Sequence, residues 1–229
     1  MILSAHQPAY LPWLGYFDKI IRSDVFVILD NVQYEKNSFV NRNKIKSSNG
    51  AIWLTIPVKT KGHLDSTLAE TQIDNSFNWK RKHLNAIYLN YKKAPRFTSL
   101  YTELEKSYNI ETEFLIDLCL KNLRFWMKEI GIFTNIVRLS ELPINTKKSE
   151  LVADICNYFK ATHYISGALG KDYLEQECFK MPIEIEFQDY QHPVYPQLWG
   201  SFIPNLSIVD FAMNTNAYSI ISSSGLPSS

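Results

Sequence analysis

The chain reads as an α/β protein: a three-layer, mostly parallel Rossmann-like sheet with a helical insertion. Three observations predict it. The first thirty residues run strand, helix, strand. The last third alternates strand and helix again. The candidate strands are short and almost wholly apolar, as strands buried on both faces are.

Each element follows from its local pattern. MILSA (1–5) is a short apolar strand. LPWLGYFDKIIRS (11–23) can carry a helix, with Pro12 tolerable only in its first turn. DVFVILD (24–30) is β-rich and apolar, and closes a β-α-β opening that favours parallel pairing. A polar stretch, NVQYEKNSFVNRNKIKSSNG (31–50), ends at the turn signal Asn49-Gly50. AIWLTIPVK (51–59) is the third strand candidate, and Pro57 places it at an edge or a strand end. Asn75 or Ser76 can cap a helix to about Tyr91 that turns Leu84, Ile87, Tyr88 and Tyr91 to one side. A second helix spans about Glu111 to Glu129, and Gly131 can end it. FTNIVRLS, THYISG and PIEIEFQDY read as strands. Between them KSELVADICNYFKA and KDYLEQECFK read as helices, and SIVDFAMN as a short terminal one. This gives one α/β domain over 1–221, with the helical insertion at about 65–131 and a disordered tail at 222–229.

Composition narrows the function classes. No run of about eighteen apolar residues exists, so no membrane span is expected. Neither is a signal peptide, because no basic region precedes an apolar stretch. Cys119, Cys156 and Cys178 are odd in number and widely spaced, which points to a reducing cytoplasm. The net charge of +1 hides an asymmetry. Residues 36–96 hold twelve Lys/Arg against three Asp/Glu, a surplus of +9, and the remainder carries −8. Such a sector suits an anionic partner, or is a solvated face balanced in space by acidic neighbours.

Ligands of parallel sheets bind beyond the carboxyl ends of the strands. That rule selects SAHQPAYLP, DNVQYEKNSFVNRN, SGALGKDY and QDYQHPVYPQLWG. In the first, His6 can act as a general base or donate to a phosphate. Gln7 follows it, and Tyr10 can reach the same mouth. In the second, Asp30 can bind a ribose hydroxyl, orient a histidine or accept an amine proton; it can equally cap a turn. Gln33 lies beside it, and Asn41, Arg42 and Asn43 form a dense donor set in which Arg42 can grip a diphosphate bidentately. In the third, Ser166, Gly167 and Gly170 would let backbone N–H groups approach an anion, or form a plain strand-to-helix turn. The remaining histidines, His63, His83, His163 and His192, show no ligand spacing, so no metal site is expected.

HQPAYLPWLGYFDKI resembles the hallmark of the WbqC-like family of bacterial proteins. The likeness continues through DNVQYEKNSFVNRNKIK, WLTIPVK, YISGALGKDYL and PQLWGSFIPNLSIVDFAMN, nearly the whole chain. Members are usually encoded with surface-polysaccharide or O-antigen genes, often beside sugar aminotransferases. The resemblance therefore implies a cytoplasmic transferase of O-antigen (lipopolysaccharide) biosynthesis that moves an acyl or aminoacyl group onto a nucleotide-linked amino sugar. It carries over His6, Gln7, Asp30, Gln33, Asn41, Arg42, Asn43, Ser166, Gly167 and Gly170 by motif position, without individual roles. In this reading His6 takes a proton from the sugar ammonium or the attacking amine, and Asp30 orients either one. Arg42 and the basic sector hold a diphosphate or an acidic acyl carrier protein, and Ser166 with the Gly167 backbone holds a carbonyl oxygen or a phosphate. The donor would be an acyl thioester or an aminoacyl-tRNA, with no tightly bound cofactor. Two alternatives stand beside it. One is an ATP-dependent nucleotidyltransferase or ligase of similar fold, although the paired-histidine signature of that class is missing. The other is a non-catalytic module that binds a sugar nucleotide or a carrier protein.

Overall fold

A computed structural model describes residues 1–59, 66–109, 111–172, 174, 176–179 and 182–222. The apolar opening forms strand β1 (Ile2–His6), helix α1 (Leu14–Ile21) and strand β2 (Val25–Ile28). β1 and β2 pair in parallel, with Ser4 opposite Phe26 and His6 opposite Ile28. Pro12 stands ahead of α1, where its missing N–H leaves no helical bond unmade.

The next stretch departs from the sequence reading. Arg42–Ser47, inside the polar segment, is a strand (β3), and it pairs antiparallel with β4 (Gly50–Thr55) as a separate two-stranded hairpin. The third strand candidate is therefore no edge of the parallel sheet. Ser48-Asn49 forms the two-residue loop, and Gly50 takes φ 104°, a conformation that disfavours a side chain. β3 was hidden because its inward polar residue, Asn43, binds main chain. Its Nδ2 donates to the Leu11 carbonyl at 2.7 Å and fastens the hairpin to the first loop.

Three helices follow: α2 (Trp79–Tyr91), α3 (Phe97–Tyr108) and α4 (Leu115–Ile130). α2 starts after Asn78, later than expected, and buries Trp79, His83, Ile87 and Tyr91, while Tyr88 stays exposed. α3 was not anticipated. Its buried face, Leu100, Leu104 and Tyr108, keeps strict four-residue spacing just behind Pro95. α4 ends at Gly131, which takes the left-handed φ of 85° and donates to the Met127 carbonyl.

The last third restores the alternation: β5 (Asn135–Arg138), α5 (Lys148–Phe159), β6 (His163–Ser166), β7 (Glu184–Phe187) and α6 (Ile208–Asn214). The helix expected at KDYLEQECFK is replaced by 3-10 turns at Ala168–Asp172 and Gln176–Cys178, with Tyr173, Glu175 and Lys180 outside the described residues. The expected tail, beyond Ser222, also lies outside them.

Among the described residues, the main sheet has five strands in the order β5-β2-β1-β6-β7, all parallel. Its two faces bury different cores. Leu3, Ala5, Val25 and Val27 pack with Leu151, Val152 and Ile155 of α5. Phe26 and Ile28 pack on the other face with α1 and α4. Successive strand residues point to opposite faces, so an apolar run such as Val25–Ile28 needs helices on both sides. The result is the three-layer α/β architecture.

Candidate functional site

The strand order fixes where a ligand should sit. The chain runs from β1 outward to β2 and β5, then returns to the other side of β1 to place β6 and β7. The order therefore reverses between β1 and β6, and a crevice is expected beyond their carboxyl ends. His6 and Gln7 leave β1 there, and Ser166 and Gly167 leave β6.

Main-chain bonding opens that crevice. The β1–β2 register continues to His6 opposite Ile28, but the β1–β6 register stops at Ser4 opposite Ile165. The Ile2 and His6 carbonyls accept from Asp24 and Leu29 on the β2 side, while that of Met1 accepts from Thr162 and His163. By alternation the Ala5 carbonyl faces β6, just past the last paired residues. Lys19 of α1 takes it, with Nζ donating at 2.9 Å. Lys19 is buried, and among the described residues no carboxylate lies within ion-pair distance of it. Burial pushes its ammonium down to about 7.

His6 is half-buried against Trp13 and Tyr16, with ring centroids 5.6 and 4.9 Å away, both edge to face. Its Nδ1 lies 2.9 Å from the Gln7 carbonyl oxygen. A carbonyl only accepts, so Nδ1 carries the proton and Nε2 is left with its lone pair. Burial, and secondarily the Lys19 charge, hold the imidazole down to about 3. At neutral pH the ring is an uncharged acceptor. The Tyr16 hydroxyl also donates to the Gln7 carbonyl, at 3.1 Å, and so fixes the backbone that orients His6.

The other loops converge on this point by way of the first. The second loop returns through Phe39, whose carbonyl accepts from the Tyr10 amide at 3.0 Å and whose ring lies 5.2 Å from Trp13. The fourth loop crosses α1. Gln188 Nε2 donates to the Gly15 carbonyl at 2.9 Å and to Asp18 at 2.6 Å, and its amide donates to the Ser166 carbonyl. Tyr190 closes over Gly15, where a Cβ would come within 3.0 Å of the ring. His192 in that loop has Nδ1 2.9 Å from the Pro193 carbonyl, while its buried Nε2 has no partner among the described residues.

The remaining sequence candidates divide. Ser166 and Gly170 pack together so tightly that a Cβ on Gly170 would fall 1.9 Å from Ser166 Oγ, and that hydroxyl donates to the Gly167 carbonyl at 3.1 Å. Asp30 is fully buried on the β5 side. It accepts from Arg138 Nε at 2.7 Å, Ser140 N at 2.9 Å and Ser140 Oγ at 2.7 Å. It braces β2 against the turn after β5 and makes no contact with His6 among the described residues. Gln33 lines a separate cleft of about 570 Å³ beside Lys147 and Lys148 at the start of α5. Tyr10 turns away from the mouth, and its hydroxyl bonds His83 Nδ1 at 2.8 Å and the Tyr108 hydroxyl. Asn41 donates to the Ile56 carbonyl at 2.8 Å and, like Asn43, holds the hairpin. Arg42 lies on the hairpin's outer face with its guanidinium 4.2 Å above Trp53.

The basic sector is not one surface. Lys46 is buried, donating to Gln197 and the Ser201 carbonyl, and Arg96 pairs with Glu129 at 2.8 Å. His63 lies outside the described residues. Sequence reasoning missed Lys19, although a lysine inside the mostly apolar segment LGYFDKII is a readable signal, and the structure buries every residue of that helix. Among the described residues no group of three or more His, Cys, Asp or Glu could hold a metal ion, and no helix is long and apolar enough to cross a membrane.

Comparison with known proteins agrees with the motif reading. A family model described as the WbqC-like protein family matches residues 7–221. The uncharacterized protein Rv1507c of Mycobacterium tuberculosis is 35% identical over 214 residues, covering 92% of each chain. No solved structure matches.

Proposed function

The chain belongs to the WbqC-like protein family, and from that premise we propose that it is a group-transfer enzyme of bacterial surface-polysaccharide biosynthesis, forming an amide on the amino group of a nucleotide-linked sugar. The observation that carries this reading is His6. It stands at the β1–β6 crevice with Nδ1 tied to a carbonyl and Nε2 free to accept.

In this mechanism the sugar's amine, in its neutral form, donates a hydrogen bond to Nε2 and aims its lone pair at the donor's acyl carbon. The C–N bond forms as the C–S or C–O bond of a thioester or aminoacyl ester breaks. The amine proton passes to Nε2 and from there to the departing thiolate or alkoxide. A ring held down to about 3 is a weak base, so Nε2 takes the proton only as C–N bond formation makes the attacking nitrogen acidic, and it passes the proton on to the leaving group. Lys19 lowers the basicity of His6 further by disfavouring a second positive charge beside it. The backbone N–H of Gly167, across the crevice and held in place by the Ser166 hydroxyl on the Gly167 carbonyl, would receive the developing oxyanion.

The test incubates the protein with an amino sugar nucleotide and a panel of acyl thioesters and aminoacyl-tRNAs, read by mass spectrometry. A mass gain on the sugar that disappears in a folded His6→Ala variant is the expected result. If no donor gives a gain while a control acyltransferase does, the reading fails.

A further inference from the structure

The outer face of the β3–β4 hairpin carries features that the transfer chemistry does not use. Trp53 and Phe39 are 42% and 44% exposed, and their ring centroids lie 5.9 Å apart. Arg42 and Lys44 both sit over Trp53, at 4.2 and 4.7 Å from its ring centroid. Neither cation has a carboxylate within ion-pair distance among the described residues. Among the described residues Arg42 donates only to the Asn37 carbonyl and side chain, and its buried Nε has no partner.

This patch is continuous with the crevice. From His6 the rings step to Trp13 at 5.6 Å, from Trp13 to Phe39 at 5.2 Å, and from Phe39 to Trp53. Exposed rings beside unneutralised cations complement a ligand with a flat π-face and adjoining negative charge.

We propose that this face binds a nucleoside diphosphate, with the base stacked on the Trp53–Phe39 rings and the phosphates held by Arg42 and Lys44, so that a sugar on the second phosphate is directed past Trp13 toward His6. The proposal rests on the reading of the substrate as a nucleotide-linked sugar, and it adds where the nucleotide lies and what recognises it. A ring platform with point charges reads the base's face and the diphosphate, so it tolerates different bases. A single-stranded nucleic acid would use the same chemistry over several nucleotides. The hairpin offers one pair of rings and one pair of cations, which fits a single nucleotide.

The experiment is calorimetric titration of the full chain with UDP, dTDP, GDP and ADP, with pyrophosphate and with a short single-stranded RNA. It is repeated on Trp53→Leu, Phe39→Leu and Arg42→Gln variants whose melting curves match the parent's. Stacking of one base predicts that Trp53→Leu weakens nucleoside diphosphate binding about tenfold and leaves pyrophosphate unchanged. Arg42→Gln should weaken both. The proposal is overturned if no nucleoside diphosphate binds, if binding is indifferent to Trp53 and Phe39, or if only the RNA binds. Amide formation separates the two readings. Product that forms with an unchanged KM in Trp53→Leu removes the platform and keeps the transferase. Trp53-dependent binding without product does the reverse.

Discussion

Replacing Lys19 by Met isolates the cost of a buried ammonium at the crevice. The side chain goes from an ordinary value of 10.5 to about 7 in the folded protein. Between those values the unfolded chain binds a proton that the native state does not, so unfolding free energy must rise with pH across that window. From pH 7 to 8.5 the gain is roughly 1.6 kcal/mol from this one group. The window is clean on both sides. His6 and His83, held down to about 3 and 4, and His192, also lowered by burial, contribute their own rise chiefly below 6.5. Cys119 and Cys156 are pushed upward by burial and act with opposite sign only near and above 9. Loss of the bond to the Ala5 carbonyl shifts the Met variant by a constant and leaves its slope alone. Urea denaturation at constant ionic strength, at half-unit steps from pH 7 to 8.5, should therefore show the parent rising and Lys19→Met nearly flat. Parallel curves would refute the argument that Lys19 is buried without a charge partner.

Three more outcomes follow from the same geometry. The His6 ring should stay neutral to about pH 3 by NMR titration and titrate higher in Lys19→Met; a transition near 6.5 in the parent would contradict its burial. Asp30→Ala should cost about 2–3 kcal/mol by leaving the Ser140 amide and hydroxyl without their acceptor and Arg138 with only its 3.6 Å pair to Asp117, and a double-mutant cycle with Arg138→Ala that shows no coupling would exclude the ion pair as a contributor. Gly170→Ala should cost about 1–3 kcal/mol through its clash with Ser166. Ser166→Ala in that background should restore more than half of it, and no rescue would mean the strain lies elsewhere.

The parallel sheet was legible because period and apolarity coincide in short runs. Val25–Ile28 has no polar residue, and only a strand covered on both faces uses such a segment. The hairpin was not legible, because β3 reads RNKIKS and its burial depends on partners distant in sequence. Lys46 is buried only because Gln197 and the Ser201 carbonyl meet it, more than 150 positions away. The site divided for the same reason. His6 and Ser166 could be placed from strand ends alone. Whether Asp30 faced His6 or the next strand depended on β5 lying beside β2, an order that short strands do not encode locally. Tyr10 was assigned to the mouth for its position, but its hydroxyl is satisfied by His83 and Tyr108, both from the helical insertion.

Two buried polar clusters show how stability and function can be told apart here. Asp210 is fully buried, yet it accepts from the hydroxyls of Tyr91 and Tyr195 at 2.7 and 2.8 Å and from Gln197 at 2.8 Å. Those bonds tie α6, α2 and the loop after β7 together, so the network accounts for its own burial. Lys19 is the opposite case. Among the described residues it has one hydrogen-bond acceptor, the Phe26 ring at 5.9 Å and no carboxylate partner, with a desolvation cost of roughly 4–5 kcal/mol at neutral pH. A Met or Leu would fill the same apolar space between α1 and β1 without that cost. A residue that lowers stability, touches the strand next to His6 and sits where the strand order reverses is a candidate for chemistry at the crevice. The same argument ranks the candidates. His6 and Lys19 share one crevice and influence each other's charge, whereas Asp30 and Asn43 are saturated by the fold they hold, and Asn41 holds the Ile56 carbonyl through Nδ2 while its buried Oδ1 has no partner among the described residues. Variants of the first pair should therefore alter pH dependence with modest loss of stability, and variants of the second group should lower stability first.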